Sequence, residues 1–321
     1  MKNSNLYHQI FTILLFIAMV LPRFNGNQLI VKQEPYDAKY FKNYVEYFRG
    51  NPLEIELRPA TNWRFLVPLV ASYLPFSALT SINLINGLFL AFGLYVFYVA
   101  LQFLNIPNNK IWQSLWLFLF SFPMFYYSSI GYVDAALFLF IALSIYATFK
   151  KQEWLFVLAI LLGLCVKETI AISIPFYFFY HFKNNRKSAV FVTLCTFMLY
   201  LFGVYLIRKF APISLETTRN NFWKFDLNSA SINLHRFNSW FSVILSFGLV
   251  GLLFFKQLYS KSFGQITENP LYLACLASIG SALFLYFLSY FSTIADGRII
   301  WLSYFYMLII VNSSWTIDDS K

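Results

Sequence analysis

The sequence predicts an all-α polytopic membrane protein with about ten transmembrane helices, and three observations lead to this fold class. Hydrophobic residues make up 59% of the chain and charged residues 12%, whereas soluble domains average about 45–50% and about 25%. Apolar runs of membrane-spanning length recur along the whole sequence. The polar stretches between them are too short to fold separately, so we predict a single transmembrane domain over residues 1–321.

The N-terminus is predicted to form the first span. Lys2 precedes an apolar run from Leu6 to Leu21, which is the layout of a signal sequence, but no small-x-small cleavage site precedes Pro22. This favours an uncleaved span. The polar segment Arg23–Arg64 that follows has about forty residues, too long for an ordinary connection, and is therefore predicted to be functional.

The remaining spans follow from the apolar runs, and their connections set the orientation. Short basic connections contain Lys110, Lys150, Lys183 and Lys256, and the positive-inside rule places them in the cytoplasm. The predicted further spans are Ile82–Leu104, Trp112–Ile130, Val133–Phe149, Trp154–Val166, Thr169–Phe182, Ala189–Ile207, Trp240–Phe255, Leu271–Phe291 and Ile299–Val311.

One apolar segment, Phe65–Ser81, contains Pro68 and Pro75 and allows two interpretations. If it crosses the membrane fully, either the basic connections at Lys110, Lys150 and Lys183 lie outside or the N-terminus changes sides. If it is interfacial or re-entrant, all signs agree with about ten crossings and both termini in the cytoplasm. We adopt the second interpretation, which makes residues 23–81 a first outer loop with interfacial helices and residues 208–239 a second outer loop.

Cysteine, histidine and net charge exclude several classes of site. Cys165, Cys195 and Cys275 lie within apolar runs, which is typical of buried small side chains rather than of disulfides or metal ligands. The three histidines are scattered without a zinc-ligand spacing. The formal net charge of +10 indicates contact with anionic lipid headgroups or phosphates, and no nucleic-acid partner is expected for a membrane chain.

The segment from Tyr36 to Arg49 predicts an amphipathic helix in the first outer loop. On a helical wheel, Tyr36, Tyr40 and four further aromatic residues share one face, Asp37 falls inside that face, and the opposite polar face contains Asn43 with the charged residues. Because it follows Pro35, Asp37 is either a helix-start residue that accepts backbone hydrogen bonds or an acid directed at a site beneath the aromatic face.

The other candidate residues also keep two interpretations each. Asp134 either stabilises the start of the following helix or belongs to a site. Lys167 and Glu168 form either a simple hairpin tip or an inward-facing acid or base in a cleft, and as neighbours they need separate partners or water in the turn. Asp296-Gly297-Arg298 is either a self-paired turn or a phosphate contact. Among the loop charges, Arg58 or Arg64 is expected to contact a headgroup.

Taken together, these short motifs resemble the GT-C type membrane glycosyltransferases, which use polyprenyl-phosphate sugars. Tyr36-Asp37-Ala38-Lys39-Tyr40-Phe41 resembles the segment around the catalytic or metal-binding aspartate of their first outer loop. Lys167-Glu168 resembles a Lys-Glu feature, and Asp296-Gly297-Arg298 resembles an arginine-bearing outer turn. The resemblance covers the topology of nearly the whole chain. The sequence departs from better-known members because it shows no soluble C-terminal domain and no second acid beside Asp37.

The resemblance implies transfer of a hexose or pentose from a polyprenyl-phosphate donor to a glycan, lipid or protein acceptor, at the outer face of the cell (inner) membrane. Asp37 is then the catalytic base, Glu168 a second catalytic acid that orients the sugar or Lys167, and metal use, with a divalent cation as one option, stays open. The residues expected to bind substrate or phosphate are Lys167, Arg298, Arg58, Asp134, Tyr36 and Tyr40.

Two other functional classes fit the sequence. A transporter or lipid flippase would also use proline-broken helices and charges at membrane depth. In a noncatalytic scaffold subunit, the residues 208–239 and the aromatic surfaces would bind partner proteins. Against transport, the unexplained charges collect on one predicted side of the membrane, and no internal repeat is visible.

Overall fold

The structure, a computed structural model, describes residues 2–23, 38–53, 61, 63–128, 131–210, 226–291 and 297–313. Helices dominate, and this part of the chain contains no β-strand, which confirms the all-α fold class. Two 3-10 helices cover Leu21–Arg23 and Glu168–Ser173. The α-helices are α1 (Lys2–Val20), α2 (Ala38–Phe48), α3 (Leu66–Ser72), α4 (Ala78–Gln102), α5 (Asn108–Leu119), α6 (Phe122–Tyr127), α7 (Asp134–Phe149), α8 (Glu153–Val166), α9 (Ile174–Phe182), α10 (Arg186–Phe210), α11 (Leu227–His235), α12 (Phe237–Tyr259), α13 (Phe263–Glu268), α14 (Pro270–Tyr290), α15 (Arg298–Trp301) and α16 (Tyr304–Ser313).

Four of these helices are long and apolar enough to cross a membrane: α4, α10, α12 and α14. Shorter apolar helices cover Leu6–Val20, Asp134–Phe149, Glu153–Val166 and Tyr304–Ser313. Such helices are expected of a helical membrane protein. The count of ten crossings stays a prediction, because several predicted spans are shorter than a bilayer or are divided, as α5 and α6 are.

The core forms where α4, α7 and α16 pack together. Position 93 in α4 is a glycine, and a Cβ atom there would lie 2.8 Å from the backbone nitrogen of Leu139 in α7. The missing side chain therefore allows the two backbones to approach closely. On the other side, Phe305 of α16 stacks on Phe97 of α4 with ring centroids 4.0 Å apart. Although α16 comes last among the described helices, it is enclosed by the others, since Tyr304 to Ile310 are all fully buried.

The basic connections gather at one end of the bundle, which we call the basic end. The Lys150 ammonium after α7 lies 4.0 Å from the centroid of Phe103, just after α4. Lys183, after α9, donates to the backbone carbonyl of Glu268 at the end of α13. These contacts place the basic connections after α7 and after α9 at the same end of the bundle. The positive-inside rule requires this arrangement if that end faces the cytoplasm. The opposite end carries α2 and is called the α2 end.

The amphipathic helix predicted from Tyr36 to Arg49 is present as α2. Tyr40, Phe41 and Tyr44 of its aromatic face are buried, as the helical wheel predicts. Asn43 differs from the prediction: it was assigned to the polar face, yet it is buried against neighbouring elements. Burial therefore covers more of α2 than an interfacial helix lying on a lipid surface would bury.

Arg49 fastens α2 to the connection between α3 and α4. Its guanidinium makes an ion pair of 2.8 Å with Glu46 on the preceding turn. The guanidinium also donates to backbone carbonyls at the end of α3 and in the connection to α4. Hydrogen bonds from a charged donor are stronger than neutral ones, so they fix the C-terminal end of helix α2 against the start of α4. The backbone carbonyl acceptors are those of Ser72, Leu74 and Phe76.

The segment Phe65–Ser81 contains a short helix and the beginning of a long one. α3 has 7 residues, about 10 Å at 1.5 Å per residue, which is too short to cross a membrane. The chain then turns, and α4 begins after Ser77, whose hydroxyl accepts the Thr80 backbone N–H at 3.3 Å. These lengths agree with the interpretation that the segment before α4 does not cross.

Several short helices begin or end below the level that α4 and α10 reach at the α2 end, and we call the region between these two levels the recess. α4 and α10 each have 25 residues, about 37 Å, whereas α7 has 16 residues, about 24 Å. Tyr200 of α10 donates to the backbone carbonyl of Glu168 at 2.8 Å. Because Tyr200 precedes the end of α10 by ten residues, Glu168 lies roughly 15 Å below that end.

We predict that Gly93→Ala lowers stability by about 1–3 kcal/mol, because the new methyl group meets the backbone of α7 and forces the helices apart. The matched control is Gly87→Ala in the same helix, where a Cβ atom meets nothing within 4 Å. Unfolding of the purified protein in mixed micelles measures both. Equal stabilities for the two variants would contradict the close approach of α4 and α7.

Candidate functional site

Five ionisable side chains meet at the bottom of the recess, and we call them the charge cluster. Asp134 and Lys167 form its centre as a direct ion pair. Their side chains are only 2% and 6% exposed, so water does not screen this pair. An isolated charge at such depth is very unfavourable, and pairing is what allows both groups to stay ionised. The members of the charge cluster are Arg64, Asp134, Lys167, Glu168 and Arg298.

Arg298 places a second cation on the same carboxylate. Its Nη1 atom lies 3.8 Å from Oδ2 of Asp134, and its guanidinium lies 4.2 Å from the ring centroid of Tyr132. The face of the Tyr132 ring stabilises the Arg298 guanidinium through a cation–π contact. Asp134 is therefore shared between two cations, which leaves positive charge in excess at this point.

Glu168 and Arg64 form the second pair of the cluster. Arg64 Nε donates to Oε2 at 3.0 Å, and Nη2 donates to Oε1, so the fork of the guanidinium engages both carboxylate oxygens. The side chains are 14% exposed for Arg64 and 31% for Glu168. This pair is thus closer to solvent than the Asp134–Lys167 pair. It joins the end of the polar segment Arg23–Arg64, within the first predicted outer loop, to a residue 104 positions later.

The break between α8 and α9 explains how Lys167 and Glu168 reach different partners. Lys167 has an extended backbone (φ −164°, ψ 136°), which ends α8 and turns consecutive side chains apart. A tight hairpin is possible because Gly163 lacks a side chain where Ile170 packs; a Cβ atom would lie 2.6 Å from Ile170 Cγ1. The prediction that Lys167 and Glu168 need separate partners is confirmed.

The turn before α7 positions Asp134 and also contacts α2. Asn83 accepts the Gly131 backbone N–H at 2.9 Å, and Asn86 donates to the backbone carbonyl of Tyr132. Gly131 has φ +78°, and a Cβ atom there would lie 2.8 Å from the Cβ of Ala38. The first residue of α2 therefore rests on a turn that leads directly into Asp134. This brings α2 and the charge cluster to the same region of the molecule.

Trp63, the residue before Arg64, contacts helix α10. The Arg208 guanidinium lies 4.3 Å from the ring centroid of Trp63. Phe65, the residue after Arg64, packs against Tyr40 and Tyr44 of α2. The chain around Arg64 is thus held between α10 and the aromatic face of α2, which fixes where the guanidinium enters the recess.

The structure brings together four of the predicted site residues: Asp134, Lys167, Glu168 and Arg298. Tyr40 is buried nearby, within the aromatic cluster of α2 that includes Tyr44. Asp134 occupies the first turn of α7, so its role at the helix start and its role in the charge cluster coexist. Three predicted residues lie outside the described part of the chain: Asp37, Tyr36 and Arg58.

The sequence interpretation did not identify the asparagines or the partner of Glu168. Asn83 and Asn86 stand three residues apart in a mostly apolar helix, and this spacing places both on one face. That signal was available in the sequence. For Arg64 the sequence predicts only a headgroup contact, and nothing in its local sequence points to Glu168, because the pairing depends on how distant segments pack.

Metal binding is not assigned to the charge cluster. Among the described residues, no group of three or more His, Cys, Asp or Glu side chains is arranged to hold a metal ion. Both carboxylates of the cluster are already neutralised by Lys and Arg side chains. The donor set therefore favours an anion over a cation as the ligand of this recess.

Comparisons with known proteins do not identify a family: protein-family models, curated proteins and solved structures were searched, and none matched.

We predict that Asp134→Asn and Lys167→Met each destabilise the protein by about 3–5 kcal/mol, since each leaves a buried charge without its main partner. The double variant should lose less than the sum of the two, with a coupling free energy of about 0.5–3 kcal/mol. Unfolding in mixed micelles measures the cycle. Glu46→Gln, which removes a partly exposed ion pair with Arg49, is the control and should cost under about 1 kcal/mol. Additive losses in the cycle would contradict the direct pair.

We predict that Gly131→Ala destabilises the protein more than Gly50→Ala. Both glycines have positive φ, +78° and +90°, so both substitutions strain the backbone by about 1–3 kcal/mol. Only position 131 adds a clash with Ala38, because a Cβ atom at position 50 meets nothing within 4 Å. Ala38→Gly should restore part of the loss in the Gly131→Ala protein. Absence of any restoration would argue against contact between α2 and this turn.

Proposed function

We propose that this chain is a membrane glycosyltransferase that takes a sugar from a polyprenyl-phosphate donor, with the charge cluster as the site that holds the donor phosphate. One observation carries the proposal: three cationic and two anionic side chains meet in a recess below α2. Ionisable groups at membrane depth are costly and are retained mainly where they serve function. The substrate and the reaction rest on the resemblance of the short motifs.

The excess positive charge favours an anionic ligand. With Arg64, Lys167 and Arg298 protonated and both carboxylates ionised, the cluster carries one positive charge more than its own acids neutralise. Arginine presents its donors in a planar fork that matches phosphate oxygens. The apolar bundle around the cluster lowers the local dielectric and strengthens this attraction. A phosphate attached to a lipid chain suits a site that is reached from the membrane.

The proposed topology places the α2 end outward. The basic end then faces the cytoplasm together with both termini, and about ten crossings of the cell (inner) membrane complete a GT-C-like arrangement. The donor and the acceptor glycan, lipid or protein meet in the recess from the outer side. The short α7 and the hairpin formed by α8 and α9 support this proposal, because they keep the charges below the level that α4 and α10 reach, while Glu168 stays 31% exposed.

The proposed reaction is a displacement at the anomeric carbon. The acceptor hydroxyl oxygen bonds to that carbon, the bond from the carbon to the phosphate oxygen breaks, and its electron pair stays on the departing phosphate. Asp37 takes the proton of the acceptor hydroxyl. Arg298, which is partly exposed, stabilises the charge that develops on the phosphate directly, the buried Lys167 adds its electrostatic field from beneath, and Asp134 holds these two cations in place.

A second candidate function is transport or flipping of a lipid-linked substrate. One observation favours it: α12 is broken at Gly248, which has φ +44° and ψ −147° inside the helix. The hydroxyl of Tyr304 donates to the backbone carbonyl of Ser246 beside the break. Broken helices of this kind are a feature of transporters, although helix breaks also occur at other functional sites.

We predict that Asp37→Asn lowers sugar transfer by about 10²- to 10⁴-fold, the contribution expected of a general base. The assay uses purified protein in vesicles with a polyprenyl-phosphate sugar and a membrane extract as the acceptor source. Asp226→Asn is the control, because Asp226 is an exposed acid that only caps α11. Transfer near the wild-type level by correctly inserted Asp37→Asn protein would refute the assignment. Substrate flux without transfer would establish the transport alternative instead.

A further inference from the structure

The two ion pairs of the charge cluster differ in their access to a ligand. Asp134 and Lys167 are sealed, with side-chain exposures of 2% and 6%. Glu168 is 31% exposed and its partner Arg64 is 14% exposed. A ligand that enters the recess can therefore reach the Arg64–Glu168 pair without first disrupting the protein core. In the structure, a single guanidinium occupies both oxygens of Glu168.

We propose that Arg64 exchanges partners when the substrate binds: the phosphate group of the ligand takes the Arg64 guanidinium and releases the Glu168 carboxylate. This inference rests on the proposed function, because it requires the charge cluster to bind a phosphate. It adds a role for each residue. Arg64 becomes a direct phosphate contact, and Glu168 becomes a carboxylate that is available only while ligand is bound.

The exchange is chemically reasonable because the two anions present the same geometry to arginine. A carboxylate and a phosphate each offer two oxygens that match the guanidinium fork, so the same pair of donors serves either partner. The donor phosphate is a diester and carries one negative charge, equal to that of a carboxylate, whereas the phosphate monoester left after sugar transfer, for which farnesyl phosphate stands in, carries more. Lys167 and Arg298 add attraction for the phosphate at the same place, and therefore the incoming anion competes well against Glu168.

The surrounding contacts allow the carboxylate of Glu168 to leave without moving the backbone. The Tyr200 hydroxyl holds the Glu168 carbonyl at 2.8 Å, and it does not involve the carboxylate. Arg64 is kept near the recess by its neighbours, since Trp63 contacts Arg208 and Phe65 packs on α2. Once released, Glu168 can accept hydrogen bonds from hydroxyl groups of the ligand, whereas in the unliganded pair both oxygens are occupied by Arg64.

The alternative is a fixed strap, in which Arg64 and Glu168 hold the first predicted outer loop on the hairpin and never separate. The two models differ in what removal of the Glu168 charge does to ligand affinity. Under exchange, Glu168 competes with the ligand for Arg64, so its neutralisation strengthens phosphate binding. Under the strap model, neutralisation loosens the loop and leaves binding unchanged or weaker.

The test measures binding of farnesyl phosphate and of inorganic phosphate to the purified full-length chain by calorimetry, with farnesol as the uncharged control. We expect wild-type protein to bind farnesyl phosphate and Glu168→Gln to bind it about fivefold more tightly, in keeping with the modest strength of a partly exposed ion pair. Glu168→Asp, whose shorter side chain weakens the paired geometry, should fall between the two. Comparison of the two phosphates distinguishes a lipid-linked ligand from free phosphate.

The Arg64→Gln background separates partner exchange from a general electrostatic effect. If Glu168 acts through Arg64, the gain caused by Glu168→Gln disappears when Arg64 is absent. A gain that persists there comes from the charge alone and overturns the exchange. Where Arg64→Gln protein fails to fold, Arg64→Lys serves, because it keeps the charge but loses the fork, and the gain should shrink. Glu46→Gln, which disrupts another Glu–Arg pair at the same end, should leave affinity unchanged.

The outcomes distinguish this inference from the proposed function. If the wild-type chain binds neither phosphate, both the phosphate site and the exchange are wrong. If it binds farnesyl phosphate but Glu168→Gln binds no more tightly, the exchange is wrong and the phosphate site stands. If affinity rises in Glu168→Gln and the rise depends on Arg64, the exchange is established.

Discussion

The pairing of buried charges is the constraint on which this structure depends. Asp134, Lys167 and Arg298 lie within an apolar helical bundle. An unpaired charge there would destabilise the folded protein by more free energy than most single packing contacts contribute. Their partners come from distant parts of the sequence: the start of α7, the break between α8 and α9, and α15. The charge cluster therefore requires these elements to meet at one level. A change in the length of any one of them would separate the charges.

Short helices make this arrangement possible. In a bundle of full-length spans, the helix ends and the charges near them would lie at the membrane surfaces. Here α7 has 16 residues and α8 has 14. The start of α7 and the end of α8 both lie below the level that the longer helices α4 and α10 reach. The recess is the consequence, and α2 lies over it through the contact of Ala38 with Gly131. The start of α7 also directs its positive helix end toward the recess, which adds to the attraction for anions.

The sequence was most informative where a residue type conflicted with its surroundings. Charged residues in apolar runs indicated Asp134, Lys167, Glu168 and Arg298, and the structure brings all four together. The amphipathic pattern indicated α2 and its buried aromatic face. These predictions succeed because a polar group in an apolar environment needs a specific reason to be there, and that reason is visible in the one-dimensional pattern.

Other features could not be read in this way. Nothing near Arg64 in the sequence identifies Glu168 as its partner, since the pair joins positions 104 residues apart. The break at Gly248 was not predicted, because a single glycine in an apolar run is compatible with a continuous helix, and only its positive φ reveals the interruption. Asn43 was assigned to the polar face of α2, and its burial reflects additional packing that a helical wheel does not contain.

The sequence by itself determined the all-α membrane class, the apolar helices and the identity of most charges in the cluster. Composition, hydrophobic run length and charge placement are local properties, and the solvent preference of each residue acts on them directly. Only the tertiary structure decided which charge pairs with which, how deep the recess lies and that Arg64 belongs to it. Those features depend on helix lengths, tight approaches at glycines and the relative levels of distant segments, and these are set by packing of the whole bundle.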